Sequence, residues 1–212
     1  MGTASLAATD GLRDVLVAQA SQLDPARLAF DRTTVSVKRG PGINTKKTVV
    51  ERWNGRRWTL LSINGGKPTE KQKTDLQQAA SSAPVPSYHN IARMLTAAGD
   101  VTANADGTRT LKIPVMPAGT VRTDTGDISK HLTGEMTIAE QGGKPYVQRL
   151  KVTARETFKL NMLIKVIAFE QISHYKLDTS GTPRLASQTA DSSGSMFGFG
   201  GGEKSEVTYN YR

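Results

Sequence analysis

The side chains able to do chemistry are scattered along this chain. His89, His131 and His174 lie far apart and share none of the spacings by which imidazoles hold a metal. Each is expected on a surface or a strand face. Cysteine is absent, which removes disulfides, thiolate nucleophiles and thiolate metal sites together. Gly194-Ser195 lacks the GxSxG frame that lifts a nucleophilic serine out of a strand-to-helix turn. No GxxxxGK[ST] phosphate loop occurs. The cluster Gly198-Phe-Gly-Gly-Gly202 runs into Glu203 where a dinucleotide fingerprint needs its last glycine. It also sits between strand candidates, with no helix N-terminus to receive a phosphate, and reads as a hairpin loop. Carboxylates are plentiful, but no pair stands out as general acid and base. The chain is expected to catalyse nothing and to need neither cofactor nor metal.

Binding is the remaining chemistry. The net charge is +9 and unevenly spread. Lys38, Arg39, Lys46, Lys47, Arg52, Arg56 and Arg57 fall within twenty residues, opposed by Glu51 alone. Such density favours anionic partners; it equally describes a solvated strand face that guards an edge. Trp53 and Trp58 flank Arg56 and Arg57, the interleaving by which single-strand binders stack bases. Both tryptophans fall at strand positions that normally pack into a core, so a nucleic-acid partner is not expected. Met94, Met116, Met136 and Met162 stand on apolar faces, and methionine adapts to irregular apolar shapes. Met196-Phe-Gly-Phe199 places two phenylalanines in a glycine- and serine-rich loop, where exposure is costly unless they cover a cavity mouth or touch a partner or membrane.

The elements that must position these residues are mostly strands. Hydrophobic residues are 37% and charged residues 22% of 212, the balance of a folded chain able to bury a core. No apolar run reaches the roughly 20 residues of a membrane helix. Thr9 to Leu23 predicts a helix capped by Asp10 and ended by Asp24-Pro25. The period then changes to two. Leu28 to Val37, Lys46 to Trp53 and Arg57 to Ile63 predict a three-strand meander, with breaks at Gly40-Pro41-Gly42 and Asn54-Gly55. Glu70 to Ala80 predicts a polar helix, Ser81 to Pro86 a linker, and Tyr88 to Ala98 a short helix capped by Ser87. Strands follow at Thr108 to Val115, Lys130 to Glu140, Tyr146 to Ala154, Arg184 to Ala190 and Glu203 to Arg212. Phe158 to Ile172 reads as one long strand, because Phe158, Leu160, Met162, Ile164 and Val166 alternate with polar residues. Hairpins with a few amphipathic helices predict a curved, open antiparallel sheet covered by helices. No internal repeat or domain boundary is visible, so residues 1–212 are expected to form one domain. Residues 1–8 read as a flexible or artificial start.

Arg57-Trp-Thr-Leu-Leu-Ser-Ile-Asn-Gly-Gly-Lys-Pro-Thr69 resembles the W-x-L-L-x-x-x-G-x-x-P-T segment of exported bacterial proteins related to the outer-membrane lipoprotein carriers (LolA-like proteins). Glu206-Val-Thr-Tyr-Asn-Tyr-Arg212 is similar to their last strand, and Met162 to Tyr175 to the region before it. These motifs cover about a quarter of the chain. The resemblance implies an α+β fold in which an antiparallel half-barrel wraps a few helices. It also implies an apolar cavity between sheet and helices, and a periplasmic location after loss of a signal peptide. In lipoprotein carriers that cavity shelters acyl chains. The expected function is therefore a periplasmic, non-catalytic carrier of an acyl lipid or acylated protein. Trp58, Leu60, Met136, Leu150, Phe158, Met162 and Ile164 are the candidate cavity lining, with Phe197 and Phe199 near its mouth. Lys46, Lys47, Arg52, Arg56 and Arg57 are the candidate contacts to anionic head groups or an anionic membrane surface. An envelope interaction module without a small ligand is the alternative, and a polyanion binder a more distant one.

Overall fold

The computed structural model describes residues 3–82, 85–123 and 126–212. Its centre is a mainly antiparallel sheet of β1 (Phe30–Gly40), β2 (Ile43–Trp53), β3 (Trp58–Ile63), β4 (Val101–Ala103), β5 (Arg109–Ile113), β8 (Leu132–Gln141), β9 (Lys144–Ala154), β10 (Phe158–Lys159), β11 (Ile164–Leu177), β12 (Pro183–Met196) and β13 (Phe199–Tyr211). The order is β3-β2-β1-β13-β12-β11-β9-β8-β5-β4, with β10 folded onto β11. The short β6 (Arg122–Thr123) and β7 (Gly126–Asp127) form a separate hairpin. The sheet is open and uncurled. Its edges are blunted: β4 has three residues, and α2 (Glu70–Ser82) packs along β3.

Most of the predicted elements are present with shifted ends. The first helix, α1, spans Thr3–Ser21, so it begins earlier than the Asp10 cap implies. α3 covers only Asn90–Leu95; Ser87 does not cap it, and its hydroxyl instead bonds the His89 ring at 2.7 Å. α2 reaches Ser82, into the predicted linker, whose residues 83 and 84 lie outside those described. No helix among the described residues is long and apolar enough to cross a membrane.

Phe158 to Ile172 is not one strand. Asn161 Oδ1 accepts the backbone N–H groups of Leu163 and Ile164 at 2.8 and 2.9 Å, which closes a tight turn. The chain reverses there, and Phe158 pairs with Val166. Period two is the same on both sides of a hairpin, so alternation alone could not reveal the turn. The glycine cluster is likewise no long loop. Phe197 and Gly198 alone make the β12–β13 turn, both with positive φ (54° and 83°), as twist-matched two-residue hairpins require. Gly200 to Gly202 belong to β13.

The helices cover one end of one sheet face. Along β1 that inner face carries Phe30, Arg32, Thr34, Ser36, Lys38 and Gly40 in turn. At the Phe30 end, Leu12 and Leu16 of α1 and Ile91, Met94 and Leu95 of α3 meet Leu111, Leu132, Met136, Leu150 and Val152 of the sheet in one core. Tyr88 locks the layers together. Its hydroxyl accepts the buried Val147 N–H at 2.9 Å and donates to Gln19 of α1 at 3.0 Å. Val147 is free to donate to a side chain because β8 and β9 slip register at Thr137/Ile138.

Candidate functional site

β1, β2, β11, β12 and β13 run on well past the helices. Strands of 11 to 14 residues span roughly 35 to 45 Å at 3.3 Å per residue, and only one end of that length is covered. Registers give the uncovered inner face rung by rung. Ser173, Gln188, Val207, Thr34 and Val49 lie side by side; next come Gln171, Ala190, Ser205, Ser36 and Lys47; then Phe169, Ser192, Glu203, Lys38 and Thr45. This middle is mostly polar, with Lys38 paired to Glu203 at 3.4 Å. Beyond it the face turns apolar again, and its centre loses its side chains. Val166 pairs with Gly194, Gly194 with Gly201, and Gly40 with Ile43. Gly40 itself lies beside Gly201.

The result is a trough of about 680 Å³ floored by glycine backbone. Its walls are Ile43 on one side and Leu160, Ile164 and Val166 on the other, with Phe197 and Phe199 at the outer end. The floor cannot accept larger residues: a Cβ on Gly194 would run into the Lys165 carbonyl oxygen, and one on Gly201 would lie 2.9 Å from that of Arg39. The ionisable residues around it are Lys38, Arg39, Lys165 and Glu203. Among the described residues no imidazole lines the trough, and the Ser192 hydroxyl there donates to the Glu203 backbone carbonyl rather than to a basic side chain. It can hold an apolar chain of matching width and offer cations to an anionic group at its rim. Its volume lies within the range of ordinary ligand sites, about 300–1,000 Å³.

No protein-family model and no curated protein matches this chain.

The nine candidate lining residues fall into three places. Trp58, Leu60, Met136, Leu150 and Phe158 are buried, four of them (all but Leu60) in the core cluster under the helices. There Phe30 and Trp58 meet edge to face at 5.5 Å, the Arg32 guanidinium lies over Trp58 at 4.0 Å, and Phe158 stacks on His131 at 4.3 Å. Met162 stands almost wholly in solvent, 96% exposed, on the β10–β11 turn. Ile164, Phe197 and Phe199 line the trough. The five basic candidates also separate. Lys46 and Lys47 are exposed on β2 near the trough. Arg52 is held on the outer face by Asp31, at 2.7 and 3.0 Å. Arg56 and Arg57 occupy the β2–β3 turn at the covered end, roughly 25 Å or more from Lys46 along the strand. Trp53 and Trp58 are both buried, and the Trp53 indole N–H donates to the Pro25 carbonyl at 3.0 Å.

Sequence reasoning missed the wall residues Ile43, Leu160 and Val166 and the glycine floor. Gly40, Gly194 and Gly201 are distant in sequence, and only strand pairing makes them neighbours. The usable signal was Phe197-Gly-Phe199 beside a run of glycines.

The histidines remain apart. His89 is half-buried, and burial holds its pKa below the ordinary value although Asp24 pulls it upward. Among the described residues no three His, Asp or Glu side chains gather as a metal site.

Proposed function

We propose that this protein is a non-catalytic carrier or binding protein for an amphiphile, whose acyl or similarly apolar chain lies in the glycine-floored trough. One observation carries the reading: apolar walls and a bare backbone floor form a channel of ligand size beyond the helical cover. Burial of a chain yields about 0.8 kcal/mol per methylene, so ten methylenes would supply roughly 8 kcal/mol before the losses of association. Lys38, Arg39 and Lys165 offer charge to an acidic head group at the rim. The resemblance to lipoprotein carriers, with their half-barrel fold and periplasmic location, belongs to this reading. Here the helices fill the core, and the ligand site would be the uncovered stretch of the same sheet face.

The test is titration with a fluorescent fatty acid whose emission rises in apolar surroundings, in the absence of vesicles. Saturable binding near one equivalent is expected, and Ile164→Glu is expected to weaken it at least about thirtyfold by burying a charge in the wall. Ile164 sits on an uncovered strand end, so circular dichroism and the melting curve should change little. No emission rise with the unaltered protein would refute the reading and leave the envelope interaction module in its place.

A further inference from the structure

Eight large hydrophobic side chains are exposed among the described residues, and six of them gather at the uncovered end of the sheet: Ile43, Met162, Leu163, Ile167, Phe197 and Phe199. The other two, Val15 and Val115, lie elsewhere. Ile43 follows the β1–β2 turn, Met162 and Leu163 lie in the β10–β11 turn, and Phe197 lies in the β12–β13 turn with Phe199 just after it. The last two turns are joined, since the Phe197 N–H donates to the Leu163 carbonyl at 3.0 Å. Phe197 is 64% exposed and Phe199 69% exposed. Phe197 also holds φ at +54°, a conformation that bulky residues rarely adopt and that asparagine or glycine would take at less cost. A strained, outward-facing phenylalanine is a poor choice for a turn whose only task is to reverse the chain.

The net charge around these turns is positive. Segments 36–48, 157–168 and 190–205 carry Lys38, Arg39, Lys46, Lys47, Lys159, Lys165 and Lys204 against Asp191 and Glu203 alone. We infer that this end of the sheet is a docking surface for an anionic lipid membrane: the apolar turn residues enter the interface and the lysines and Arg39 meet acidic head groups. Membrane surfaces select this combination of projecting apolar points ringed by cations. A protein partner is less well matched, because the apolar residues project from turn tips rather than from one broad flat face. The inference goes beyond the proposed ligand site, for docking requires no occupant in the trough; it would bring the trough's open end to the bilayer.

The experiment is flotation of the full chain with vesicles of phosphatidylglycerol and phosphatidylcholine in equal parts, beside vesicles of phosphatidylcholine alone. Binding is expected to the acidic vesicles only, and to fall as salt is raised. Phe197→Asn with Phe199→Ser is expected to weaken it roughly tenfold or more, and Lys46→Glu with Lys47→Glu by a similar factor. Asparagine keeps the turn, so an unchanged melting curve separates lost docking from lost folding. Insertion is read by Met162→Trp, whose added indole should be quenched by lipids brominated on their chains, whereas Trp53 and Trp58 are buried at the far end. Absence of binding to the acidic vesicles would overturn the inference. So would binding without quenching, which marks mere adhesion to a polyanion, or full binding by the phenylalanine variant. Self-association through this end, with no vesicle binding, would assign the surface to a second copy instead. Ligand titration uses no vesicles and flotation uses no fluorescent fatty acid, so failure of either reading is visible without the other.

Discussion

Tyr88→Phe should destabilise this protein out of proportion to the single oxygen removed. Tyr88 is 1% exposed, and its hydroxyl serves two layers at once. It accepts the Val147 N–H at 2.9 Å and donates to Gln19 Oε1 at 3.0 Å. Val147 is fully buried at the β8–β9 bulge, where the ladder is interrupted. Phenylalanine keeps the ring against Tyr175, whose centroid is 5.3 Å away, so packing is nearly unchanged. What remains is a buried N–H without a partner, a loss of about 1–3 kcal/mol. Gln19 is only half-buried and can turn to water, which adds little. A total near 2 kcal/mol corresponds to a fall in melting temperature of about 4–8 °C in a chain of this size. Urea unfolding followed by tryptophan fluorescence would read it, with a lower midpoint and an unchanged slope. Hydrogen exchange at the Val147 amide should accelerate in the variant. A loss under about 0.5 kcal/mol with that amide still protected would refute the reasoning, because Val147 would then have a second acceptor.

Gly55→Ala should also be costly. Gly55 holds φ at +87°, and a Cβ there would run into the Ala26 carbonyl oxygen. Strain and collision together predict roughly 3 kcal/mol, read as a shifted denaturation midpoint. Acid stability should depend on Asp31. Hydrogen bonds from Arg52, followed by those from Arg212, outweigh burial and bring its carboxyl from 3.8 to about 2. The folded chain therefore binds this proton less tightly than the unfolded one. The stabilisation is present above about pH 4 and is lost as pH falls toward 2. Asp31→Asn should lower stability near neutral pH by about 1 kcal/mol, after allowance for solvent screening, and flatten the unfolding profile between those values. A variant with an unaltered acid limb would remove Asp31 from the account.

Most of the local structure was legible along the chain. The meander β1–β2–β3 followed from alternation and from Asn54-Gly55, where Asn54 Oδ1 accepts the Arg56 and Arg57 N–H groups at 3.1 and 2.9 Å. The strand over Lys130 to Glu140 and the short helix over Tyr88 to Ala98 were read directly, and Leu132, Met136 and Ile138 of the one and Ile91, Met94 and Leu95 of the other are core residues. The misread long strand has a plain origin. Between Phe158 and Val166 the period continues through a turn held by Asn161, and a period-two pattern carries no sign of the direction in which the chain runs.

The sequence by itself determined that this chain alternates as strands, where several of its turns fall, and that two phenylalanines stand in a glycine-rich hairpin segment. Those are matters of neighbouring residues: β-branched alternation, positive φ at glycine, and the side-chain bonds of asparagine. Only the tertiary structure decided which apolar residues are core and which form a site. Trp58 and Met136 look no different from Ile164 in their local patterns, yet the helices cover the first two and stop short of the third. The floor of Gly40, Gly194 and Gly201 exists because β1, β13 and β12 pair in that order. The basic run from Lys38 to Arg57 divides for a related reason. An extended strand carries its two halves to opposite ends of the sheet, leaving one half beside the apolar turns and the other at the covered end.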